Sequence, residues 1–411
     1  MNTIKATNIL IPKDCDHKKW SVVACDQFTS ERGYWKKLED FVGDAPSTLK
    51  LVFPEVYLED DDKQERIENI NATMNEYLTG GVFRTLENSC VVMKRTTASG
   101  VSRLGVVCAV DLEDYCFTHP SHAFIRSTEG VVLDRIPPRL AIRENAPLEL
   151  PHIMLLIDDR KKNADDLEKT LQAVEEKFGE FLSEVSWLNM GGGHLEGYRI
   201  DANEVAKEFE KYYQSVQNLY GKESNDFIFA VGDGNHSLAT AQAHWNRIKQ
   251  GLTDAQKAVH PARFALCEIE NLHDDGIVFE PIHRFVFGAG DDFCEYLASN
   301  LHGTQSVKVF SKDGEREISV DDNGAKAIRD IQGAIDDYLK SHAECKVDYI
   351  HGIEHLQCVA KENDGVAIVM PKIKKEELFG YVLENGTLCR KAFSMGEAEE
   401  KRYYFEAKLI K

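Results

Sequence analysis

Hydrophobic positions along this chain follow two alternating patterns. Short apolar runs of strand length, such as residues 90–94, 104–112 and 153–157, are typical of buried β-strands. Between such runs, apolar residues recur every three or four positions, as in residues 64–78 and 202–220, which is the spacing of an amphipathic helix. The alternation predicts a mixed α/β (α+β) fold in which layered mixed sheets are surrounded by helices.

Other segments extend this prediction. A turn at Ser99-Gly100 joins two of the strands into a hairpin. Val22–Cys25 is predicted as a short buried strand, and Ser30–Phe41 as a helix capped by Thr29 or Ser30. The remaining predicted elements are helices over about 164–185 and 325–339 and strands over 263–269, 277–287, 308–310, 318–320 and 366–370.

Domain boundaries are weakly marked, because the chain has no internal repeat and no low-complexity linker. We predict a main α/β region over residues 1–290, with a further subdivision near 150–160 left open. Residues 291–411 contain helices and strands of their own. They are predicted to form a C-terminal α+β region that contributes to the same site, and whether this region folds independently stays open.

Composition places the chain among ordinary globular proteins. Of its 411 residues, 43% are hydrophobic and 29% are charged, which suffices for two or three domains. The formal charge of -20, from 69 acidic against 49 basic residues, disfavours nucleic acid and anionic membrane surfaces as partners. A small-molecule ligand is the expected partner, and an anionic one would need a local basic cluster. The sequence does not indicate an oligomeric state.

Neither secretion nor membrane insertion is indicated by the sequence. No run of 18 apolar residues occurs, and Met1–Lys13 lacks the apolar core of a signal peptide. The ten cysteines are scattered without a CxxC pair, which fits buried reduced thiols better than disulfides. We therefore expect a cytoplasmic protein.

Residue types that bind metals or act as nucleophiles occur without the usual spacings. The 14 histidines include no HExxH motif and no Cys/His quartet, so we predict no zinc site, and no haem or flavin either. Cys25 follows an apolar run and has no basic neighbour that would lower its pKa, which disfavours a thiolate nucleophile. No GxSxG motif supports a serine hydrolase.

The most informative segment is residues 227–241, which pass from an apolar strand-like run through a tight polar turn into an Ala-rich helix. Unpaired N–H groups and the positive dipole end of a helix N-terminus favour an anion such as phosphate. Asp233, His236 and Ser237 would surround that anion, and Gly234 would let the backbone approach it. The alternative is structural: the glycine relieves backbone strain, and Asp233 or Ser237 caps the helix.

A second segment, residues 123–147, is rich in arginine. Its four guanidiniums are the best local basic cluster of an acidic chain, because Arg binds phosphate or carboxylate bidentately. We predict Arg126 at the ligand site together with Ser127, Glu129 and Arg143. Structural ion pairs with nearby carboxylates are the alternative. The carboxylates near enough in sequence are Glu129, Asp134 and Glu144.

Two further positions complete the predicted site. Asp26 lies where a strand end opens into a helix, and a carboxylate there can hold Mg²⁺ or act as a base. Its alternative role is in an N-cap with Thr29 and Ser30. Lys391, next to Arg390 near the C-terminus, would close the site from another part of the chain, unless it belongs to a solvated basic surface.

Taken together, these segments resemble a known prokaryotic family, the domain-of-unknown-function 1015 family. The matching segments are residues 24–28, 125–130, 231–237 and 390–395, in the same order along the chain. The similarity covers nearly the whole chain. The family name itself supplies no activity.

A wider resemblance concerns the polar turn. Many members of that family carry Asp-Gly-His-His-Arg at Asp233–Ser237, a pattern similar to the Asp-Gly-His-x-Arg turn of ParB-like free-serine kinases. The resemblance implies a ParB/sulfiredoxin-like element around residues 227–245 that holds nucleotide phosphates. It places Asp233 and His236 at the phosphoryl-transfer centre.

This chain departs from the turn pattern at two positions. Asn235 stands in place of a His, and Ser237 in place of the expected Arg. The missing guanidinium leaves stabilisation of the phosphate charge to side chains from elsewhere. The candidates are Arg126, Arg143 and Lys391.

The residues and the resemblance together predict a phosphotransferase. It would be a nucleotide-dependent kinase that acts on a small hydroxylated metabolite such as serine, with ATP or ADP and Mg²⁺ as cofactors. Asp233 or Asp26 would orient the acceptor hydroxyl or Mg²⁺, and His236 would donate to a transferring oxygen. Arg126 would clamp the phosphate. Two alternatives stay open: a non-catalytic regulator that binds a nucleotide or phosphometabolite, and a phosphomonoester hydrolase in which water replaces the acceptor.

Overall fold

The computed structural model describes residues 3–119, 121–160, 169–220, 227–312 and 314–411. Its internal contacts divide the chain into two compact units. Unit 1 consists of Met1–Ser127, Val131–Ile277 and Glu397–Lys411. Unit 2 consists of Thr128–Gly130 and Val278–Gly396.

These boundaries differ from the predicted division at residue 290. The strand Phe279–Phe287 pairs with strands of unit 2 and belongs to it. The last segment, Glu397–Lys411, belongs to unit 1, where the side chains of Tyr403 and Phe405 are buried in hydrophobic clusters. Burial of these apolar side chains holds the C-terminal segment in unit 1.

The strands are numbered in chain order. The first two segments of unit 1 contain β1 Ile4–Lys5, β2 Ile9–Pro12, β3 Phe83–Leu86, β4 Ser89–Thr96, β5 Ser102–Asp111, β6 Tyr115–Cys116, β7 Ile125–Ser127, β8 Leu148–Glu149, β9 Met154–Ile157, β10 Phe181–Leu188, β11 Gly193–Asp201, β12 Phe229–Asp233 and β13 Phe264–Asn271. Unit 2 contains β14 Phe279–Phe287, β15 Gln305–Ser311, β16 Gly314–Val320, β17 Lys346–His351, β18 Gly365–Ile368 and β19 Phe393–Met395, and unit 1 ends with β20 Lys408–Leu409.

The α-helices are numbered in the same way. Unit 1 contains α1 His17–Trp20, α2 Arg32–Val42, α3 Lys63–Thr79, α4 Ile136–Arg143, α5 Lys169–Glu175, α6 Ala202–Tyr220, α7 Asn235–Ile248 and α8 Asp254–Val259. Unit 2 contains α9 Asp291–Asn300, α10 Gly324–Ser341, α11 Ile353–Glu362 and α12 Lys375–Asn385.

Unit 1 is built on a mixed sheet with the strand order β10-β11-β4-β5-β13-β9-β12-β7-β6, and β1 pairs with β5. β4 and β5 form the predicted antiparallel hairpin. Near the other end, β12 runs parallel to β7 and antiparallel to β9. Two short antiparallel pairs, β2 with β3 and β20 with β8, accompany this sheet. The predicted mixed α/β fold is confirmed.

The sheet of unit 1 has a hydrophobic core on each face. Because side chains alternate along a strand, Val106 and Cys108 of β5 pack in one core and Val107 packs in the other. The first core also holds side chains of α6 and α7, such as Phe209 and Trp245. The second holds Tyr404 and Phe405 of the C-terminal segment. β5 is therefore apolar on both sides, as its unbroken hydrophobic run indicates.

Unit 2 contains a second sheet, ordered β16-β15-β18-β14-β17, with β19 paired to β14. Its pairing is antiparallel. Phe285 of β14 packs with Ile350, Leu356 and Ala367 in a small core. The buried positions of α10 recur at helical spacing, as its apolar pattern predicts.

Several predicted elements match the structure closely. The helices predicted over residues 64–78, 202–220 and 325–339 correspond to α3, α6 and α10. The strand predicted over 153–157 corresponds to β9. The strand, turn and helix predicted from residue 227 onward correspond to β12, Gly234 and α7. Length and clear periodicity made these segments predictable.

Two local predictions were wrong. Val22–Cys25 is not a strand: Val23 makes a single β-bridge, to Arg402. The helix α2 begins after Glu31 and has no side-chain cap hydrogen bond, so neither Thr29 nor Ser30 caps it.

The helix predicted over residues 164–185 is shorter in the structure. Its first part lies outside the described residues, and α5 ends at Glu175. The N–H of Gly179 donates to the carbonyl of Arg199 at 2.7 Å. That bond brings the chain alongside β11, and Phe181–Leu188 becomes the strand β10. Strand pairing overrides the local helical pattern here.

Candidate functional site

The candidate site lies in unit 1, where β12 passes into α7. β12 is buried between its two neighbouring strands and ends at Asp233. Gly234 then adopts φ 80° and ψ 24°, a left-handed conformation, and precedes the first residue of α7. A Cβ at this glycine would lie 3.0 Å from the Cα of Ile153. Both the dihedral angles and the close approach to β9 therefore require glycine.

The first turn of α7 presents backbone donors. The first helical hydrogen bond runs from the N–H of Leu238 to the carbonyl of Gly234, at 3.0 Å. The N–H groups of Asn235, His236 and Ser237 precede it and have no acceptor within the helix. With the positive end of the helix dipole, these groups form a place where an anion is stabilised.

Asp233 binds both the backbone and a cation. Its Oδ1 accepts a hydrogen bond from the N–H of Gly234 at 2.8 Å. Its Oδ2 lies 2.9 Å from Nζ of Lys401, and the two side chains are 29% and 24% exposed. Asp233 thus fixes the turn and holds an ammonium group beside the start of α7. The capping alternative does not hold for Asp233, because Gly234 is the N-cap residue of α7 and no side chain makes a cap hydrogen bond there.

Asp26 is a half-buried carboxylate that interacts electrostatically with His152 and Lys401. We refer to the side chains around the start of α7 as the cluster, and they are Asp26, His152, Asp233, His236, Ser237 and Lys401. The side-chain amide of Gln27 donates to its Oδ1 at 2.9 Å. Burial raises the pKa of Asp26, but His152, the Gln27 amide and Lys401 outweigh burial, and the pKa lies below its ordinary value. Asp26 is therefore ionised at neutral pH.

His152 connects the start of β9 to α7. Its Nε2 lies 2.8 Å from Oγ of Ser237, within hydrogen-bonding distance. Its ring packs edge-to-face on Tyr403, with 5.5 Å between the ring centroids. The interaction of Asp26 with His152 places a carboxylate, an imidazole and a hydroxyl next to one another. This combination can move a proton.

His236 is held as a neutral imidazole. Its Nε2 accepts a hydrogen bond from the N–H of Val132 at 3.1 Å, so the ring proton is on Nδ1. Burial and the guanidiniums of Arg139 and Arg135 lower the pKa of His236 to about 4. At neutral pH His236 can therefore donate a hydrogen bond from Nδ1 without carrying a charge.

An ion pair and a thiol border the cluster. Arg139 of α4 pairs with Glu55, whose backbone N–H donates to the carbonyl of Cys25 at 2.8 Å. Burial raises the pKa of Glu55 despite this pair. Burial and the charge of Asp26 raise the pKa of Cys25 to about 12, so its thiol is protonated at neutral pH. This agrees with the expectation that Cys25 is not a thiolate nucleophile.

Asn235 and Ser127 belong to a buried hydrogen-bond network. The hydroxyl of Ser127 donates to Oδ1 of Asn235 at 2.6 Å and lies 3.1 Å from the hydroxyl of Tyr115. All three side chains are less than a tenth exposed. The network attaches the first residue of α7 to β7 and β6. Ligand binding by Asn235 and Ser127 remains a prediction.

The two predicted arginines of unit 1 have intramolecular partners. Arg126 is 7% exposed, donates from Nε to the carbonyl of Ala123 at 3.0 Å, and lies over the ring of Phe227. Arg143 pairs with Glu149, which also lies 3.4 Å from Nζ of Lys408. The carboxylate partner of Arg143 is thus Glu149, and Glu144 instead lies near Arg247. The roles of Arg126 and Arg143 in phosphate binding remain predictions.

Glu129 and Lys391, the two other predicted residues, belong to unit 2. There the backbone N–H of Lys391 donates to Oε1 of Glu129 at 3.3 Å. Lys391 is exposed and has a left-handed backbone with φ 59°. Their participation in a ligand site remains a prediction.

Sequence reasoning missed three side chains in or next to the cluster: His152, Lys401 and Glu55. His152 immediately precedes an apolar run, whereas Asp26 was selected because it follows one, so the criterion that selected Asp26 did not include His152. Lys401 has no local signal, because it reaches the site from the last segment of the chain. Glu55 has no signal in the sequence, and only its contacts with Arg139 and Cys25 show that it lies next to the cluster.

Within the described residues, each unit contains a cavity. One of about 310 Å³ in unit 1 is lined by side chains of α2 and α3 and of the segment between them, and one of about 510 Å³ in unit 2 by side chains of α9 and α10. Within the described ranges, no three His, Cys, Asp or Glu side chains are arranged to hold a metal ion. No helix in the part of the chain that the structure describes is long and apolar enough to cross a membrane.

A comparison with family models gives a match over most of the chain. A family model described as "Protein of unknown function (DUF1015)" matches residues 10–397. A carboxyaminopropylagmatine decarboxylase from Synechocystis is 51% identical over 55 residues, which are 12% of this chain and 14% of that protein. The chain therefore matches about a seventh of the length of this curated relative.

Solved structures similar to this one have low identity and low TM-scores. A free serine kinase mutant in complex with ADP has a TM-score of 0.39 and 8% identity, and the match covers 73% of this chain and 92% of that chain. A conserved hypothetical protein from Pyrococcus furiosus has a TM-score of 0.35 and 10% identity, over 71% and 90% of the two chains. SbnI from Staphylococcus aureus has a TM-score of 0.34 and 10% identity, over 71% and 82%.

Proposed function

We propose that this chain, which belongs to the family described as "Protein of unknown function (DUF1015)", is a phosphotransferase. In this proposal it binds a nucleotide, ATP or ADP, with phosphate groups at the N-terminus of α7. It transfers a phosphoryl group to a small hydroxylated acceptor such as serine. The family assignment contains no activity, so the proposal is argued from the cluster of unit 1.

The observation that carries the proposal is the joint position of Lys401 and the first turn of α7. Lys401 contacts Asp233 at 2.9 Å, directly before the turn whose backbone N–H groups precede the first helical bond. A phosphate at this place would be stabilised by the helix dipole, by backbone donors and by an ammonium group. In a chain with a net charge of -20, such a local arrangement is what phosphate binding requires.

Neighbouring side chains supply the groups that phosphoryl transfer needs. The ionised carboxylate of Asp26 can orient an acceptor hydroxyl and take its proton. The neutral His236 can donate from Nδ1 to a transferring oxygen. Asp233 is already engaged with Lys401 and Gly234, which favours Asp26 over Asp233 as the base.

Magnesium would enter this site with the nucleotide. Mg²⁺ on a nucleotide is held by one or two carboxylates together with phosphate oxygens. Asp26 is ionised and has an oxygen that the Gln27 hydrogen bond does not use, so it fits this role as well. The ion would neutralise phosphate charge, which matters because Ser237 stands where an arginine was expected.

The test measures nucleotide binding and turnover in the parent protein and three variants. We expect ATP or ADP with Mg²⁺ to raise the melting temperature of the parent, since a ligand at a hundredfold excess over its Kd stabilises by about 2.7 kcal/mol. Lys401→Gln should lose this shift. The matched control is Lys257→Gln, which removes an exposed ion pair of α8 at 3.0 Å, and it should keep the shift.

Turnover separates the proposal from its alternatives. Asp26→Asn should still bind nucleotide but transfer phosphate to serine about 10²–10⁴-fold more slowly, the usual contribution of a general base. Saturable binding without any product in the parent would favour the regulator, and release of phosphate from phosphoserine alone would favour the hydrolase. Absence of a shift with every nucleotide tested would contradict the proposal.

A further inference from the structure

The hydroxyl of Ser237 and the imidazole of His152 form a pair that the proposed function does not use. We propose that Ser237 is a nucleophile that becomes covalently phosphorylated, with His152 as its general base. The inference rests on the proposed function only for the phosphate donor, a phosphate ester or anhydride bound at the start of α7.

The geometry places the two groups in direct contact. Oγ of Ser237 and Nε2 of His152 are 2.8 Å apart, although they come from α7 and from the start of β9. With the ring proton on Nδ1, Nε2 accepts the hydrogen bond of the hydroxyl and can take its proton. Both residues are half-buried, so the pair is shielded from solvent but not closed off from a ligand.

Asp26 assists through its charge. Nδ1 of His152 is buried and has no hydrogen-bond partner among the described residues, so Asp26 is not joined to the ring by a hydrogen bond. Its carboxylate nevertheless interacts electrostatically with the imidazole. An imidazolium formed when His152 takes the serine proton would be stabilised by this negative charge. Tyr403 packs on the ring and restricts its orientation.

The position of Ser237 in the first turn of α7 favours the same step. The positive end of the helix dipole stabilises negative charge on the serine oxygen and on a bound phosphate alike. Lys401, paired with Asp233 just before this turn, adds a second positive group. The hydroxyl is thus adjacent both to its base and to the place where we propose that phosphate binds.

The chemical step is balanced without a further reagent. Oγ of Ser237 attacks phosphorus, the Oγ–P bond forms, and the bond from phosphorus to the leaving-group oxygen breaks. The serine proton passes to Nε2 of His152 and from there to the leaving-group oxygen. A small hydroxylated acceptor or water then attacks the same phosphorus: its O–P bond forms, the Oγ–P bond breaks, and its proton passes through Nε2 of His152 to Oγ of Ser237. One covalent intermediate therefore serves either outcome.

A fluorophosphonate probe tests the nucleophile directly and needs no nucleotide. Attack by Oγ forms an O–P bond and releases fluoride. We expect one label per chain at Ser237, located by peptide mass spectrometry, and none at this position in Ser237→Ala. His152→Gln should slow labelling at least about tenfold, as expected for loss of a general base. His355→Gln, at an exposed position of α11, is the matched control and should label at the parent rate.

A pH profile of the labelling rate distinguishes a base from a structural contact. In the parent protein the rate should rise with pH through one ionisation, and this step should disappear in His152→Gln. No label at Ser237, or an equal rate in His152→Gln, would overturn the inference. If the variants do not fold, a parent rate that does not depend on pH would overturn it as well.

The result can be separated from that of the proposed function. Labelling of Ser237 without any nucleotide-induced thermal shift would support the nucleophile and contradict the nucleotide kinase. A nucleotide-induced thermal shift without labelling of Ser237 would support the nucleotide kinase and contradict the nucleophile.

Discussion

At the scale of single residues, the geometry of the candidate site depends most directly on Gly234. Its φ of 80° is a conformation that side chains rarely adopt. A Cβ there would also lie 3.0 Å from the Cα of Ile153 and 3.1 Å from its Cγ1. Because a backbone atom cannot rotate away, any side chain at this position requires the backbone of Ile153, next to His152, to shift.

We expect Gly234→Ala to destabilise the protein by about 1–3 kcal/mol, the usual cost of a strained backbone conformation, and to weaken anion binding at α7. Urea unfolding followed by circular dichroism measures the first effect. The control is Gly333→Ala, in the exposed interior of α10 with no atom within 4 Å of the new Cβ. It should instead stabilise by about 0.5–1 kcal/mol. Equal effects of the two substitutions would contradict this explanation.

At the scale of elements, β5 and β13 carry an ion pair into the protein interior. Nε of Arg103 lies 2.6 Å from Oε1 of Glu270, and the two side chains are 6% and 0% exposed. Arg103 also donates to the hydroxyl of Tyr404 at 3.1 Å, and that hydroxyl donates to Glu268 at 3.0 Å. Burial, together with the charge of Glu268, raises the pKa of Glu270 despite Arg103. The network joins two strands to the C-terminal segment.

Arg103→Met should destabilise the protein by about 3–5 kcal/mol, because it leaves buried carboxyl groups without their counter-charge. The loss of stability should be smaller at pH 5 than at pH 8, because Glu270 can hold a proton at pH 5. Chemical denaturation at both pH values measures this. Arg316→Met removes an exposed pair with Asp291, 2.7 Å in length, and should cost less than about 1 kcal/mol. A similar loss in both variants would argue against a role of burial.

At the scale of the whole molecule, unit 1 depends on the last segment of the chain. This segment forms β-bridges through Arg402 and Ala407 and supplies Lys401 to the candidate site. It also buries Glu406, which is 1% exposed. Burial raises the pKa of Glu406 to about 8. The segment that completes the site therefore also introduces a dependence of stability on pH.

The sign of this dependence follows from proton uptake. The folded protein keeps a proton on Glu406 up to about pH 8, whereas the unfolded chain loses it near the ordinary pKa of 4.5. The contribution of Glu406 to stability is therefore complete below pH 4.5 and is lost as pH rises toward 8. Glu406→Gln should raise the melting temperature at pH 8 and change it little at pH 4.5. The control is Glu295→Gln, at an exposed position of α9, which should change the melting temperature at neither pH. An effect of Glu406→Gln that does not depend on pH would contradict this explanation.

Much of the fold and part of the candidate site could be predicted from the sequence. Periodic apolar segments such as α3, α6 and α10 carry their own structural information, since burial of one face decides their conformation. The strand, Gly234 and α7 could be predicted for the same reason, because a glycine between an apolar run and an Ala-rich run indicates a turn. Asp26 and His236 were selected by their positions at such element ends.

Contacts between side chains that are distant in sequence depend on long-range packing. Phe181–Leu188 forms the strand β10 and not the end of the predicted helix, because pairing with β11 outweighs the local helical pattern. His152, Lys401 and Ser237 lie on segments far apart in sequence, and no local pattern links them. Periodic apolar positions specify most of the elements, and the glycine specifies the polar turn. The arrangement of charges around that turn was decided by long-range packing, which brings the C-terminal segment into unit 1.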